Sequence, residues 1–307
     1  MLRRLLESVL RIEQLDGVTV HVRVVDNDEH GSARETVDDV FQGAEERITY
    51  AIEPRQNISH ARNRALDMGP ADYYVFVDDD EVVPHTWLKE LVGTLESEQA
   101  DAAFGPVTGR VPEGAPRWMT TGGFYDKSNG PQGKRLDWRS TRTSNTIVRG
   151  KWFTDAGFRL DPEYGRSGSS DTDLFRRIQA QGAVFVSAAS SGVWEDVEPD
   201  RASIAWLLRR NYRNGLTFHK LETASGVGRQ PLVRFGIRLV KTSFNGLVGL
   251  VPALFGNPTR LVRAMCALSM AWGGLNAWLR PADARGFVEY GTRELESEPE
   301  EARERAA

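Results

Sequence analysis

Cysteine, basic excess and long apolar runs are all scarce in this chain of 307 residues, and each scarcity excludes a class of protein. A single cysteine, Cys266, excludes an intrachain disulfide and a cysteine-based zinc site. The net charge of −4 argues against a nucleic-acid partner, because nucleic-acid-binding domains usually carry a basic excess. The first ten residues lack the apolar core of a secretory signal, and we expect a cytoplasmic protein, with peripheral attachment to the inner face of the plasma membrane as an option.

What is present is the composition of a soluble globular protein, with 40% hydrophobic and 27% charged residues. The charge is unevenly distributed, since residues 226–280 carry seven basic side chains and no acidic one. We therefore expect a main domain over residues 1–225, a basic and apolar helical segment over 226–290, and a disordered charged tail over 291–307.

Hydrophobic periodicity in the main domain alternates between strand and helix patterns after an amphipathic N-terminal helix over 1–10. Strands are predicted over 18–25, 48–52, 73–77, 102–104, 146–149 and 184–186, and helices over 33–41, 59–68, 84–96, 171–181 and 203–214. This alternation predicts an α/β fold with a mostly parallel sheet flanked by helices. The pattern is lost between 105 and 143, and a loop of that length is more often functional than idle.

Acidic side chains follow two of the predicted strands. Asp26 ends the first strand, and residues 78–81 (Asp-Asp-Asp-Glu) follow the apolar strand 73–77. In open parallel sheets, ligands bind outside the carboxyl ends of the strands. The run 78–81 is compatible with a solvated turn that caps the next helix. It is also compatible with a site for Mg²⁺ or Mn²⁺ and a substrate diphosphate, because a divalent cation would relieve the crowding of like charges.

A third acidic element lies at the start of a predicted helix, in the sequence Ser169-Ser170-Asp171-Thr172-Asp173. An aspartate at this place is either an ordinary helix cap or a general base. Glu195, which comes after the last predicted strand, carries no signal by itself.

The ordered set of motifs is more specific than any one of them. It consists of VVDN at 24–27, QNISHARNRAL at 56–66, YYVFVDDDE at 73–81, TSNTIVR at 143–149, GSSDTDLFRRI at 168–178 and VWEDVEPDRASIAWLLRRNYRNG at 193–215. This set resembles the family-2 glycosyltransferases of the GT-A fold. It is especially similar to the branch that contains succinoglycan-type exopolysaccharide glucosyltransferases.

The resemblance implies roles for residues at the nucleotide and metal sites. Asp26 matches the aspartate that hydrogen-bonds uracil, and Arg62 matches an arginine that approaches the nucleotide. Asp78 and Asp79 match the DXD region, in which Asp78 would face the ribose. Asp80 would ligate the metal that bridges the two phosphates.

The same resemblance implies that Asp171 is the catalytic base and that Glu195 lies near the metal. Arg210 falls in an arginine-rich helix, together with Arg209 and Arg213, that would lie near the diphosphate or the acceptor. The implied reaction is an inverting, Mg²⁺- or Mn²⁺-dependent transfer of a sugar from a nucleotide-sugar, expected to be a UDP-sugar. The implied acceptor is a glycan or a polyprenyl-linked glycan in surface polysaccharide synthesis.

Two departures from the family pattern leave an alternative open. Ser170 stands where this branch usually has a glutamate, and the first family strand, which is central and flanked on both sides, is missing before the helix over 1–10. Its loss should leave two strand edges unpaired, and we hypothesise a truncated gene model. The alternative function is therefore a catalytically impaired protein that binds a nucleotide-sugar or a glycan.

The basic segment contains two uncharged stretches, one between Lys241 and Arg260 and one between Arg263 and Arg280. Both are shorter than the roughly 20 apolar residues that a membrane-spanning helix needs. They predict either a helical cap packed on the core or interfacial helices whose basic side chains meet an anionic membrane surface.

Overall fold

The structure, a computed structural model, describes residues 1–165, 168–224, 236–237, 239–248 and 257–279. Its helices are α1 (Leu2–Leu10), α2 (Arg34–Val40), α3 (Ile58–Asp67), α4 (Trp87–Ser97), α5 (Arg117–Thr120), α6 (Lys151–Thr154), α7 (Ser170–Ala180), α8 (Ile204–Ala224), α9 (the helical residues of 236–248) and α10 (Pro258–Leu279). Its strands are β1 (Val22–Asp26), β2 (Ile48–Ile52), β3 (Tyr73–Phe76), β4 (Glu81–Val82), β5 (Ala102–Phe104), β6 (Val107–Arg110), β7 (Thr146–Arg149), β8 (Phe185–Ser187) and β9 (Val193–Asp196). The predicted tail over 291–307 lies outside the described residues.

The strands form three sheets. β1 pairs with β2, the order β3-β7-β5-β8 forms a second sheet, and β4-β9-β6 forms a third. The pairs β1–β2, β5–β8 and β6–β9 are parallel, and β3–β7, β5–β7 and β4–β9 are antiparallel. The predicted α/β fold with flanking helices is confirmed, but the described sheets are mixed rather than mostly parallel. Hydrophobic periodicity identifies apolar strands but does not show in which direction neighbouring strands run. A mostly parallel sheet was expected for this reason, whereas β7 runs antiparallel to both β3 and β5.

Strands β1 and β3 each pair on one side. In the described part of the chain, β1 pairs only with β2, and β3 pairs only with β7. Most side chains of these two strands are half-buried, whereas those of β5 and β8 are fully buried.

The core lies on both faces of the four-stranded sheet. Successive residues of β5 point to opposite faces, so Ala103 packs with Leu91 of α4 while Phe104 packs with Leu174 and Phe175 of α7. The rings of Phe104 and Phe175 meet edge to face with centroids 4.9 Å apart. Burial of each such ring contributes about 1.5–3 kcal/mol to the stability of the sheet that carries the site.

Helices α8 and α10 form a cap beside α5, and the helical C-terminal region expected from the sequence is confirmed in the described residues. Helices α8 and α10 approach closely because glycines lie at the contact. A Cβ atom on Gly215 would lie 2.1 Å from the Met270 carbonyl oxygen, and one on Gly273 would lie 2.0 Å from that of Tyr212. Within the described ranges, no helix is both long enough and apolar enough to cross a membrane.

The segment 105–143, predicted as a long loop, contains three regular elements. These are β6, which pairs in parallel with β9, the short helix α5 and a 3-10 helix at Trp138–Ser140. Farther along this segment, the backbone of Lys127 exchanges hydrogen bonds with Val107. The segment therefore passes back across the sheet edge at which the acidic residues lie.

Candidate functional site

The acidic run forms a tight turn at the carboxyl end of β3. The backbone amide of Glu81 donates to the Asp78 carbonyl at 3.1 Å, and the Asp78 amide donates to Glu81 Oε2 at 3.1 Å. The chain then enters β4, whose antiparallel pairing with β9 places Glu81 opposite Glu195. Strand register thus brings Glu195, which the resemblance placed near the metal, to the acidic run.

The crowding of these carboxylates perturbs their pKa values. Burial, then the negative charges of Glu195 and Asp78, raise the pKa of Asp80 to about 6. Burial, then Asp78, raise the pKa of Glu81 to about 8. The pKa of Asp79 is also raised, by burial and then by Asp78. Among the described residues, Glu81 Oε1 is buried without a hydrogen-bond partner. A proton or a cation at this oxygen would therefore be favourable.

Lys127 is a cation of this site that the sequence did not reveal. Its ammonium lies 2.9 Å from Glu195 Oε2, and both side chains are largely buried. The two backbone hydrogen bonds with Val107, at 2.8 and 2.9 Å, fix the chain at this point. The positive charge of Lys127 opposes the rise in the pKa of Asp80, so it stabilises the ionised form of the acidic cluster.

Arg62 connects the acidic run to the predicted base. It lies on α3, where Asn57 caps the helix by accepting a hydrogen bond from the Ser59 amide at 2.9 Å. Its guanidinium donates to Asp78 Oδ1 at 3.1 Å. It also interacts electrostatically with Asp171, which lies in the first turn of α7.

The environment of Asp171 suits a carboxylate that takes up a proton. Burial raises the pKa of Asp171, while the positive charge of Arg62 and a hydrogen bond from the Thr172 amide, at 2.7 Å, oppose the rise. A base with a raised pKa is a stronger proton acceptor than an ordinary carboxylate. The start of α7 therefore presents a carboxylate whose pKa is raised and that interacts electrostatically with Arg62 and Asp78.

Two further arginines border the acidic cluster, and neither was predicted. Arg142 lies just before the TSNTIVR motif and donates to Asn129 Oδ1 at 3.1 Å. Burial lowers the pKa of Arg142, whereas the charges of Glu81 and Asp171 oppose that effect. Arg201, which precedes α8, lies 3.7 Å from Asp80 Oδ2. The six carboxylates of the site (Asp78, Asp79, Asp80, Glu81, Asp171 and Glu195) are thus met by four cations (Arg62, Lys127, Arg142 and Arg201).

Asp26 organises the neighbouring loops at the ends of β1 and β2. It is buried and accepts hydrogen bonds from the Ala33 amide at 2.7 Å, the Asp28 amide at 3.0 Å and the Tyr50 hydroxyl at 2.8 Å. Burial and this hydrogen bond raise the pKa of Tyr50 to about 12. Asn27 then joins the two loops by donating to the Glu53 and Arg55 carbonyls and accepting from the Asn57 amide. These loops form a rigid edge beside α3.

Arg210 lies on the cap side of the molecule. Its guanidinium stacks 5.2 Å from the centre of the Trp206 ring, and its charge acts on Tyr125 and on Cys266 of α10. Burial raises the pKa of Cys266 to about 11, so this thiol stays protonated. The role predicted for Arg210 at the diphosphate stays a prediction, while Arg201 is the arginine seen beside Asp80.

The structure thus brings together most of the residues that the sequence pointed to. Arg62 contacts Asp78 directly, Asp80 and Glu195 interact electrostatically, and Asp171 interacts electrostatically with Arg62. Asp79 lies in the same turn. The chemical role of each of these residues stays a prediction.

The donor set suits a hard divalent cation that is shared with a substrate. Asp80 and Glu195 would hold Mg²⁺ or Mn²⁺, which commonly bind through one or two carboxylates together with water and substrate phosphates. In the parts of the chain that the structure describes, no group of three or more His, Cys, Asp or Glu side chains has the arrangement of a metal cage.

Solved structures with the same architecture include two proteins with bound nucleotides. Mannosyltransferase PcManGT from Pyrobaculum calidifontis, in complex with GDP-Man and Mn²⁺, aligns with a TM-score of 0.54 at 15% identity over 96% of this chain and 74% of that one. GalNAc-T7, with UDP, GalNAc and Mn²⁺, aligns with a TM-score of 0.50 at 12% identity over 75% of this chain and 50% of that one. The fold is the GT-A fold of glycosyltransferases.

Sequence comparison narrows the class. The family profile described as Glycosyl transferase family 2 matches residues 1–158. The succinoglycan biosynthesis protein ExoM of Rhizobium meliloti (strain 1021) is 33% identical over 239 residues, which cover 78% of this chain and 77% of that protein. The chain belongs to glycosyltransferase family 2, and it is a glycosyltransferase.

Proposed function

We propose that this chain is an inverting, metal-dependent glycosyltransferase of polysaccharide synthesis that acts on the cytoplasmic side of the membrane. The donor is a nucleotide-sugar, for which we propose a UDP-sugar, and the acceptor is a hydroxyl of a glycan or a polyprenyl-linked glycan. The observation that carries this proposal is the position of Asp171 in the first turn of α7, where burial raises its pKa and the charge of Arg62, which donates to Asp78 at the carboxyl end of β3, acts on it. The relation to ExoM supports the polysaccharide pathway.

The donor would lie along the carboxyl ends of β1, β2 and β3. Asp26 and the loops that it organises form the edge beside the nucleoside, and Asp78 and Asp79 lie toward the ribose and diphosphate. Arg62 holds Asp78 and adds a positive charge on the diphosphate side. A divalent cation at Asp80 and Glu195 would neutralise the negative charge that develops on the departing diphosphate.

Transfer then needs one proton acceptor. A bond forms between the acceptor oxygen and the anomeric carbon while the bond from that carbon to the diphosphate oxygen breaks. Asp171 takes the hydroxyl proton of the acceptor, and the nucleoside diphosphate leaves with the bonding electron pair. Because attack comes from the face opposite the leaving group, the anomeric configuration inverts. The diphosphate leaves without a proton, so one carboxylate base is sufficient.

The test is a donor screen with the purified full chain. UDP- and GDP-sugars are supplied with Mn²⁺ or Mg²⁺ and with glycan acceptors, and the product is assigned by mass spectrometry and by NMR of its anomeric proton. We expect an inverted linkage and loss of transfer in excess chelator. A product with retained configuration would contradict the single displacement, and full activity in chelator would contradict the metal.

The alternative, a nucleotide-sugar-binding protein without turnover, is favoured by Ser170. This residue is buried at the start of α7, beside Asp171, at the position where the branch resembled by the sequence usually has a glutamate. Calorimetry separates the two functions. Tight binding of UDP and Mn²⁺, with no product from any donor, would establish the alternative and overturn the transferase mechanism.

A further inference from the structure

Helix α9 carries an apolar stripe on its solvent side. Five large apolar side chains on it are between 51% and 69% exposed, and they recur at helical spacing: Ile237, Val240, Phe244, Leu247 and Val248. At 100° per residue these positions fall within an arc of about 100°, which is the width of a face that normally packs on a protein core. Exposure of such a face points to an interaction surface.

The opposite side of α9 is the one that contacts the protein. Gly246 is buried, and a Cβ atom there would lie 2.7 Å from the Leu268 side chain and 3.3 Å from the Ala264 carbonyl oxygen of α10. Helix α10 in turn packs on α8 through Gly273. The stripe therefore lies on the side of α9 that faces away from α10. Helix α10 adds two exposed tryptophans, Trp272 and Trp278.

Charge identifies the occupant of this surface. Residues 226–280 contain seven basic side chains and no acidic one, and Lys241 and Arg260 are exposed in the described part of the cap. A second copy of the chain would bring two such basic segments together, which is unfavourable. An anionic lipid surface offers the complementary charge and an apolar layer, and tryptophan is enriched at that boundary.

We propose that the apolar stripe of α9, with the exposed tryptophans of α10 and the basic side chains around them, docks the protein on an anionic membrane surface. The stripe enters the acyl boundary while Lys241 and Arg260 meet lipid phosphates. The proposal rests on the proposed function only in its purpose, which is to bring the catalytic site to a lipid-linked acceptor. Membrane binding itself requires neither donor nor metal.

Vesicle flotation of the full chain tests the proposal. One set of vesicles is phosphatidylcholine alone. The other contains about 30 mol% phosphatidylglycerol, whose negative charge attracts basic segments. The test variant is Val240→Ser/Phe244→Ser/Leu247→Ser, and the control is Val18→Ser/Ile204→Ser, which changes exposed apolar residues elsewhere. All substituted side chains are exposed, so far-ultraviolet circular dichroism should be unchanged.

We expect the native chain and the control to float with the anionic vesicles, and the test variant to bind at least tenfold more weakly. Lys241→Glu/Arg260→Glu should also weaken binding to anionic vesicles. No flotation of the native chain, or equal flotation of the test variant, would overturn the proposal. A native dimer that becomes a monomer in the test variant, without vesicle binding, would assign the surface to a second copy instead. Transfer to a soluble acceptor, measured in parallel, reports separately on the proposed function.

Discussion

Replacement of Asn145 should destabilise the junction between β5, β7 and the segment before β9. Asn145 is fully buried and joins three segments. Its Oδ1 accepts from Trp87 Nε1 at 2.8 Å, and its Nδ2 donates to the Pro106 and Ser191 carbonyls at 2.9 and 2.8 Å. Its backbone φ is +45°, a conformation that asparagine tolerates better than other non-glycine residues.

The magnitude follows from which groups lose their partners. In Asn145→Ala the indole N–H of Trp87 and the carbonyl of Ser191 are left without the hydrogen bonds seen here, whereas the Pro106 carbonyl keeps the Val193 amide at 3.0 Å. Each buried unsatisfied group costs about 1–3 kcal/mol, and alanine at positive φ adds about 1 kcal/mol. We expect a loss of about 4 kcal/mol in the free energy of unfolding, and a fall in Tm of about 6 °C.

Urea denaturation followed by circular dichroism measures this loss. Asn145→Asp keeps the shape and the acceptor but cannot donate to the Ser191 carbonyl, so we expect it to be at least as destabilising as Asn145→Ala. Asn214→Ala, at an exposed position of α8, is the control and should change stability by less than about 0.5 kcal/mol. A loss of less than about 1 kcal/mol for Asn145→Ala would refute the reasoning, because it would mean that neither lost hydrogen bond matters.

Three further predictions follow from the site and the packing. Asp171 acts in its ionised form, and burial raises its pKa. The acidic limb of the pH profile of kcat should therefore have its midpoint above 3.8, the ordinary pKa of an aspartate. Arg62→Met removes a charge that lowers this pKa, so it should move the midpoint to higher pH. The hydrogen bond and ion pair with the exposed Arg55 lower the pKa of Glu53 to about 2. This carboxylate therefore stabilises the fold above pH 4.5, and the stabilisation is lost as the pH falls toward 2. Glu53→Gln should therefore cost about 1–2 kcal/mol at pH 7 and progressively less in acid-titrated melts. Gly273→Ala should lower Tm, because its Cβ would collide with α8. Gly93→Ala, at an exposed position of α4 where a Cβ meets nothing within 4 Å, should raise stability by about 0.5–1 kcal/mol. The first prediction is contradicted if the pH profile of kcat is the same in Arg62→Met. The second is contradicted if Glu53→Gln costs the same stability at every pH, and the third if the two glycine variants change Tm equally.

The sequence was sufficient for features that depend on local pattern. The run 78–81 follows an apolar strand, and that strand forms as β3, so its place at a sheet edge could be predicted from periodicity alone. Asp171 opens an amphipathic helix whose apolar residues pack on the sheet, which fixes the helix start. Arg62 lies on a helix capped by Asn57, again a local signal.

Features that depend on long-range pairing could not be predicted. Lys127 reaches Glu195 because two backbone hydrogen bonds tie it to Val107, and a single bridge of this kind leaves no periodic trace. β4 has two residues and β9 has four, so neither is long enough to show alternation. Arg142 lies among carboxylates because Asn145, three residues later, fixes the chain by side-chain hydrogen bonds.

The central claim is that Asp171 is the base of a glycosyl transfer that takes place beside Asp78 and Arg62. The most direct measurement is kcat of Asp171→Asn, under saturating donor and acceptor, against Asp16→Asn, which changes an exposed aspartate in the turn before β1. The claim predicts a fall of at least about 100-fold for Asp171→Asn, with donor binding retained and Asp16→Asn unchanged. Transfer by Asp171→Asn at a rate within a few-fold of the native enzyme would contradict it.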